Sequence, residues 1–203
     1  MSATKHAQQI REDSINYLTT ALLQLLEKKP LAEIKVTELV ARAGVSRMAY
    51  YRNFDTLEDI LRAYFAPRIS HLFDDVIERV PTDAKIADMQ QFFEEMGAAL
   101  SLAERRNYEY IIQRLFNGNM RRFYDNNRHW DGLDPTAKRY WVKFMSAGVY
   151  GIWREWLLHG QQESLADIHL LVGTMQDATS AALGSVDLHN NARMPISPNE
   201  RED

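Results

Sequence analysis

The fold is decided by residues 36–54, which read Val-Thr-Glu-Leu-Val-Ala-Arg-Ala-Gly-Val-Ser-Arg-Met-Ala-Tyr-Tyr-Arg-Asn-Phe. Their apolar spacing predicts two short helices, at 36–43 and 46–54, and Gly44 permits a tight turn between them. Helices this short are not stable alone, so neighbouring helices must hold them. The stretch therefore predicts a helix-turn-helix that packs on a larger helical body.

The second of these helices is predicted to have an inner and an outer face. Tyr50 and Phe54 point towards a core, and the outer side carries Arg47, Met48, Tyr51 and Arg52. A DNA major groove admits such a helix, where arginine can pair with guanine and either arginine or tyrosine can hold a phosphate. The alternative reading is an ordinary helical corner whose arginines are solvated.

Charge is distributed unevenly along the chain. The formal net charge is −4, yet residues 1–54 hold eight Lys and Arg against five Asp and Glu, a balance of +3. The remaining residues therefore carry −7. A small basic module on an acidic body is consistent with a polyanionic partner for the N-terminal end.

The rest of the chain also reads as helical, because apolar residues recur at three- and four-residue spacing and alternation is nearly absent. Pro67 is expected to kink or break a helix that begins at Thr56, where Asp59 completes a capping box. A boundary is expected at Pro81-Thr82-Asp83, and Asp134-Pro135 and Ser164 are expected to begin helices. The other predicted helices cover a first segment that stops at Lys28-Lys29-Pro30, then 84–103, 105–117, 118–129, 135–159 and a last segment to Gly184.

The segment 43–54, followed by Leu57-Glu58-Asp59-Ile60-Leu61, resembles the N-terminal signature of the TetR family of transcriptional regulators. The resemblance is specific over about residues 8–62. It implies an all-α fold, with an N-terminal three-helix DNA-binding domain and a larger helical domain for ligand binding and dimerisation. The expected limits are 1–62 and 63–184, followed by a tail at 185–203 that lacks a periodic apolar face.

The resemblance also implies which residues face DNA. The expected contacts are Thr37, Ser46, Arg47, Met48, Ala49, Tyr51, Arg52 and Asn53, and Tyr51 matches the phosphate-binding tyrosine of the family. The chain departs from the family pattern at Lys35, where Ser or Thr is usual, at Ala49, where Thr is common, and at Leu57, where Lys is common. These departures affect the detailed contacts more than the fold.

Two further roles are expected in the larger domain. In the family the last two helices of each chain form the dimer interface, here expected to include Gly148, Ile152, Trp156, Ile168, Val172, Met175 and Thr179. A small-molecule effector is expected to contact Tyr110, Gln113, Arg114, Tyr140 and Phe144. Ordinary core packing is the alternative for both sets, as aromatic residues dominate protein cores, and the sequence names no ligand.

Other function classes find little support. The chain has no cysteine, and its six histidines show no zinc-hydrolase spacing, so neither an enzyme, a metal site nor a cofactor is predicted. No apolar run is long enough to span a bilayer, and the first residues lack the apolar core of a secretory signal. A cytoplasmic protein without a membrane role is expected.

The predicted function is a homodimeric DNA-binding transcriptional regulator, a repressor whose affinity for DNA an effector lowers. Its partner would be double-stranded DNA carrying a pseudo-palindromic operator. The alternative is an interaction module, derived from a helix-turn-helix, that takes its signal from a partner protein. Lys35, Ala49 and Leu57 are the residues that keep this alternative open.

Overall fold

The computed structural model describes residues 3–77, 82–126, 130 and 132–184, and the side chains of 3–4, 75–77 and 82–83 are not described. Over this part of the chain the fold is all-α, as predicted. The helices are α1 (Ala3–Leu26), α2 (Val36–Ala43), α3 (Arg47–Asn53), α4 (Leu57–His71), α5 (Thr82–Arg105), α6 (Glu109–Asn126), α7 (Pro135–Leu158) and α8 (Leu165–Gly184). A short 3-10 helix, Leu31–Glu33, precedes α2, and a π-helix, Leu72–Ile77, follows α4.

The first three helices pack around a leucine-rich centre. Leu18, Leu22 and Leu26 of α1 are fully buried, and so are Leu39 of α2 and Tyr50 of α3. Each of the short helices therefore gains its stability from tertiary contacts, as their length requires. The turn between them needs Gly44, whose φ of 66° lies in the left-handed region that side chains rarely adopt.

The predicted helix starts are confirmed by their caps. Thr56 and Asp59 form a reciprocal capping box at α4. Asp134 accepts the Thr136 and Ala137 amides at 2.9 and 3.0 Å, and the next residue is a proline at the first helical position. The Ser164 hydroxyl accepts the Asp167 amide at 3.1 Å just before α8.

Two predicted helix boundaries are wrong. Pro67 does not break α4, which continues to His71, because Phe65 and Ile69 on either side of the exposed proline are buried and hold the helix in place. The two helices expected at 105–117 and 118–129 are the single helix α6. Gly118 does not interrupt it, since Phe116 and Met120 are buried on either side of the glycine.

Some predictions lie outside the described residues. These are the boundary at Pro81, the end of the helix expected to reach residue 129, and the tail at 185–203. Helix α5 occupies the segment predicted at 84–103 and extends it at both ends. Helix α4 crosses the domain boundary expected at residue 62 and packs on both α1 and α6, so it is the structural link between the N-terminal helices and the rest of the chain.

An aromatic cluster fills the interior of the larger helical part. Phe93 packs edge-on against Trp153 and Trp156, with ring centroids 5.6 and 5.0 Å apart. Phe116 meets both Trp153 and Phe73, at 5.1 Å in each case. Edge-on aromatic pairs add about 0.5–1.5 kcal/mol each beyond the area that they bury, so this cluster ties α5, α6 and α7 together.

Candidate functional site: a nucleic-acid interface and an internal cavity

Helix α3 presents a basic and aromatic outer face to solvent. The inner face of α3 is formed by Tyr50, which is completely buried and packs against Phe54. Arg47 and Arg52 are exposed on the outside, as are Met48 and Tyr51. The Tyr51 ring lies edge-on to Tyr50 with centroids 4.9 Å apart, so its hydroxyl is held outward on a fixed base.

Three other predicted DNA contacts have structural partners within the domain. The Ser46 hydroxyl accepts the Ala49 amide at 3.0 Å and so caps the N-terminus of α3. The Asn53 amide donates to the Ala49 carbonyl at 2.8 Å and accepts from Arg11 Nε at 3.0 Å. Ser46 and Asn53 therefore fix the position of α3 and join it to α1.

Helix α2 begins without a side-chain cap. Lys35 occupies the cap position and provides no side-chain hydrogen bond, which agrees with its departure from the family pattern. Glu38 instead pairs with Lys29, and this hydrogen bond holds the pKa of the Glu38 carboxyl below its usual value. Thr37 is exposed in the first turn of α2, so its side chain is available for the predicted DNA contact.

The Tyr50 hydroxyl has no hydrogen-bond partner among the described residues. Burial raises the pKa of Tyr50 to about 12, so the side chain stays neutral at every physiological pH. A neutral but unpaired hydroxyl adds little stability. The contribution of Tyr50 to holding α3 therefore comes from its ring.

The N-terminal helices contact the larger helical part through α4, which packs along α6, and through two sets of hydrogen bonds. The Tyr110 hydroxyl on α6 donates to the Glu58 carboxylate on α4. Further along, Arg106 Nη2 donates to the Glu27 carbonyl, and the Leu31 amide donates to the Arg106 carbonyl at 3.2 Å. Burial, together with the Glu58 hydrogen bond, raises the pKa of Tyr110 to about 12, so this phenol remains a donor.

A cavity of about 50 Å³ lies between α4, α5, α6 and α7. We call it the first cavity. Its apolar lining is Ile69, Leu72, Phe92, Phe93, Leu100, Ile112, Phe116, Trp153, Leu157 and Leu158. An apolar cavity with a few polar groups is the usual form of a small-molecule site.

The polar groups of the first cavity form one connected cluster. Arg154 Nε donates to Glu109, and its Nη2 lies 3.3 Å from Glu104. The Tyr150 hydroxyl donates to Glu109 at 3.0 Å. The hydrogen bond that Arg154 donates to Glu109 raises the pKa of Arg154, and burial is the main cause that raises the pKa of Tyr150. Two carboxylates therefore face one guanidinium, which leaves this cluster with a net negative charge.

None of the five predicted effector contacts lines the first cavity. Tyr110, Gln113 and Arg114 are exposed on α6, because the face that this helix turns inward contains Glu109, Ile112 and Phe116 instead. Tyr140 and Phe144 are 64% and 62% exposed, in a surface groove between α7 and α8. The role of these five residues as effector contacts stays a prediction. On α6 the inward residues Glu109, Ile112 and Phe116 recur at three- and four-residue spacing, and this pattern is visible in the sequence.

Three of the predicted interface residues are buried within a single chain. Ile168 and Val172 belong to its hydrophobic core. Trp156 stacks on Phe93, and its indole donates to the Glu163 carbonyl at 2.9 Å. Surface already covered inside a protomer is not available to a second one, so burial counts against these three residues, and their interface role stays a prediction.

The other predicted interface residues lie at or near the surface. Gly148 and Met175 are exposed, and Ile152 and Thr179 are half-buried, with Thr179 accepting from Trp141 Nε1 at 2.8 Å. An apolar exposed face runs along both final helices. This C-terminal exposed face consists of Tyr140, Phe144, Ala147, Gly148 and Gly151 on α7 and Leu171, Met175, Ala178 and Ala182 on α8.

The described residues contain neither a candidate metal site nor a candidate membrane span. No group of three or more His, Asp or Glu in the described ranges is arranged to hold a metal ion. No described helix combines the length and the apolar character that crossing a membrane requires.

Comparison with known proteins gives a partial sequence match and matches of the whole fold. No family model matches the chain. Over 81 aligned residues the chain is 35% identical to the HTH-type transcriptional regulator EthR of Mycolicibacterium smegmatis. The match covers 37% of this chain and spans 37% of the length of that relative.

The solved structures share the fold over most of the chain. A TetR transcriptional regulator from Streptococcus agalactiae 2603V has a TM-score of 0.59 and 18% identity, covering 86% of this chain and 99% of that one. The dihydroxyacetone kinase operon activator DhaS has a TM-score of 0.53 and 15% identity, covering 84% and 97%.

A helix-turn-helix joined to a larger helical domain is the architecture that these structures share with the present chain. The fold thus places it in a class of helix-turn-helix proteins. The partial sequence match to EthR and the resemblance of residues 43–61 make the chain similar to regulators of TetR type.

Proposed function

We propose that the chain is a homodimeric DNA-binding transcriptional regulator, acting as a repressor that a small-molecule effector releases from its operator. The observation that carries this proposal is the outer face of α3. Arg47, Tyr51 and Arg52 project from a helix whose other side is anchored by a buried tyrosine. Rigidly held arginines on an exposed helix suit a DNA groove better than they suit solvent.

Each residue on this face has a proposed part. Arg47 stands at the N-terminal end of α3, the end that approaches base edges, so it reads sequence. Tyr51 and Arg52 hold phosphates, with Thr37 adding a contact from α2. Met48 and Ala49 provide apolar contact of the kind that suits a thymine methyl group. Ser46 and Asn53 act chiefly by fixing α3.

A dimer is proposed because two recognition helices are needed for a pseudo-palindromic site, with half-sites about 34 Å apart. The C-terminal exposed face is the proposed contact between protomers. Its glycines and alanines allow close approach of helices, and Tyr140, Phe144, Leu171 and Met175 supply exposed apolar area. Gly148 and Met175 keep their predicted role, and Ile152 and Thr179 lie close to this face.

The first cavity is the proposed effector site. It lies against α4 and α6, the two helices that Tyr110 and Glu58 join. An effector that contacts Glu109 or Ile112 therefore acts on the same helix turn that holds the DNA-binding helices. Such coupling is typically worth about 1–3 kcal/mol of DNA affinity.

Selection of DNA from a random pool by the purified full-length protein tests the proposal. We expect a palindromic site whose affinity falls steeply with added salt, because phosphate contacts release counterions. Arg47→Ala should weaken binding by about 1–3 kcal/mol and relax base preference, whereas Tyr51→Phe should weaken binding to all sequences. Arg121→Ala, an exposed arginine of α6, is the matched control.

The same experiment decides between the proposal and an interaction module. A folded protein that enriches no DNA sequence and binds DNA without a steep salt dependence would overturn the proposal. A reporter gene placed behind the selected site then measures the direction of regulation. Higher expression when the regulator is deleted is the result expected of a repressor.

A further inference from the structure

A second cavity shares the Trp153 side chain with the first. Its volume is about 190 Å³, and it lies between α5, α6, α7 and α8. Its walls are mainly apolar and include Met89, Met120, Trp130 and Val172.

The polar groups of the second cavity are mostly hydrogen-bond donors. Lys85 and His169 are the ionisable side chains in its lining, and the lining contains no carboxylate. No described carboxylate forms an ion pair with Lys85. Burial lowers the pKa of Lys85, and burial followed by the charge of Lys85 lowers the pKa of His169. Among the described residues, neither group therefore has a compensating negative charge.

The Trp153 indole adds a further unused donor. Its side chain is 8% exposed, and its Nε1 has no hydrogen-bond partner among the described residues. A buried donor without an acceptor costs roughly 1–3 kcal/mol, so such groups often mark a place where a ligand or water binds. The first cavity, in contrast, contains Glu104 and Glu109. The linings of the two cavities thus differ in charge.

From this arrangement we propose that the second cavity is a binding site for an apolar carboxylate, separate from the effector site of the first cavity. The carboxylate pairs with the Lys85 ammonium, next to His169, and the apolar body lies among Met89, Met120 and Val172. Trp153 donates its indole N–H to an oxygen of the ligand. The proposal does not depend on DNA binding, because it concerns only the interior of the larger helical part.

Octanoate is the probe that tests the site, with octanol as the neutral molecule of matched chain length. Binding to the full-length protein is followed by calorimetry and by tryptophan fluorescence. We expect saturable octanoate binding, and octanol should bind at least about tenfold more weakly because it lacks the charge that pairs with Lys85. Equal affinity for octanol, or no saturable octanoate binding, would overturn the proposal.

Variants assign the binding to this cavity. Lys85→Met keeps an apolar chain of similar length and should weaken octanoate binding by about tenfold or more. Lys28→Met, at an exposed lysine after α1, is the control that should leave it unchanged. Trp153→Phe removes the indole N–H while keeping a ring, and should cause a smaller loss. An unchanged octanoate affinity in folded Lys85→Met would contradict the assignment.

Discussion

The recognition helix and the interior of the larger helical part are stabilised in different ways. Helix α3 has seven residues and buries a single one of them, Tyr50. The interior around Trp153 is an interlocked set of rings from α5, α6 and α7. The first arrangement leaves nearly every side chain of a short helix available for a partner. The second spreads stability over many contacts and so tolerates cavities.

The difference shows where each kind of function can be placed. A surface that reads another molecule needs exposed side chains on a fixed base, and one deep anchor provides this. A site that encloses a small molecule needs walls that remain in place when space is left between them. Local sequence encodes the first requirement, whereas the second depends on how distant helices meet.

The largest effect is expected from removing the anchor of α3. Tyr50→Ala should lower the free energy of unfolding by about 3–5 kcal/mol, as truncation of a buried aromatic residue usually does. Tyr50→Phe is the matched variant, and it should change stability by less than about 1 kcal/mol because the hydroxyl has no described partner. Urea unfolding measures both. A loss below about 1 kcal/mol in Tyr50→Ala would show that other contacts hold α3.

A smaller effect is expected at the junction of the two regions. Tyr110→Phe removes the hydrogen bond to Glu58 and keeps the ring. The free energy of unfolding should fall by about 1 kcal/mol. DNA affinity, measured without effector, should fall by less in Tyr110→Phe than in Arg47→Ala. Titration of the selected operator measures that affinity. A larger loss of DNA binding in Tyr110→Phe than in Arg47→Ala would mean that the junction affects DNA binding more strongly than Arg47 does.

The smallest effect concerns the capping box at the start of α4. Hydrogen bonds from Thr56 hold the pKa of Asp59 below its ordinary value of 3.8. The charged form is therefore stabilised by folding, so this contribution is complete above pH 3.8 and is lost as pH falls through the lowered pKa. Asp59→Asn should lower stability by roughly 0.5 kcal/mol at neutral pH.

Thermal unfolding as a function of pH measures this contribution. The difference between wild type and Asp59→Asn should shrink as the pH is lowered below 3.8, where the wild-type carboxyl becomes protonated. A difference that stays constant over this range would mean that the charge of Asp59 plays no part in the capping box. Asp125→Asn is the control, because Asp125 lies on an exposed part of α6. Glu58→Gln is unsuitable because Glu58 accepts a hydrogen bond from Tyr110.

The recognition helix could be predicted from the sequence because its determinants are local. Gly44, the capping Ser46 and the inward Tyr50 lie within seven residues of one another, and each has a role that its chemistry dictates. The same local reasoning found the caps at Thr56 and Asp134.

The cavities and the exposed C-terminal face could not be placed in the same way. The sequence shows that α7 is apolar around much of its circumference, but not which neighbour covers each side. Trp156 and Phe144 are both large and aromatic, yet one is buried by Phe93 and the other is exposed. Packing between α5 and α7, which are distant in sequence, decides between them. Pro67 illustrates the same point, because buried neighbours outweigh its local tendency to end a helix.

The junction between the N-terminal helices and the larger helical part has a mechanical consequence. Tyr110 is bonded to Glu58 on α4, Arg106 is bonded to the turn after α1, and α4 packs along α6. Arg106 and Tyr110 both lie near the start of α6. A displacement of this end of α6 would therefore be transmitted to α1 and α4 together, and the N-terminal helices would move as a group.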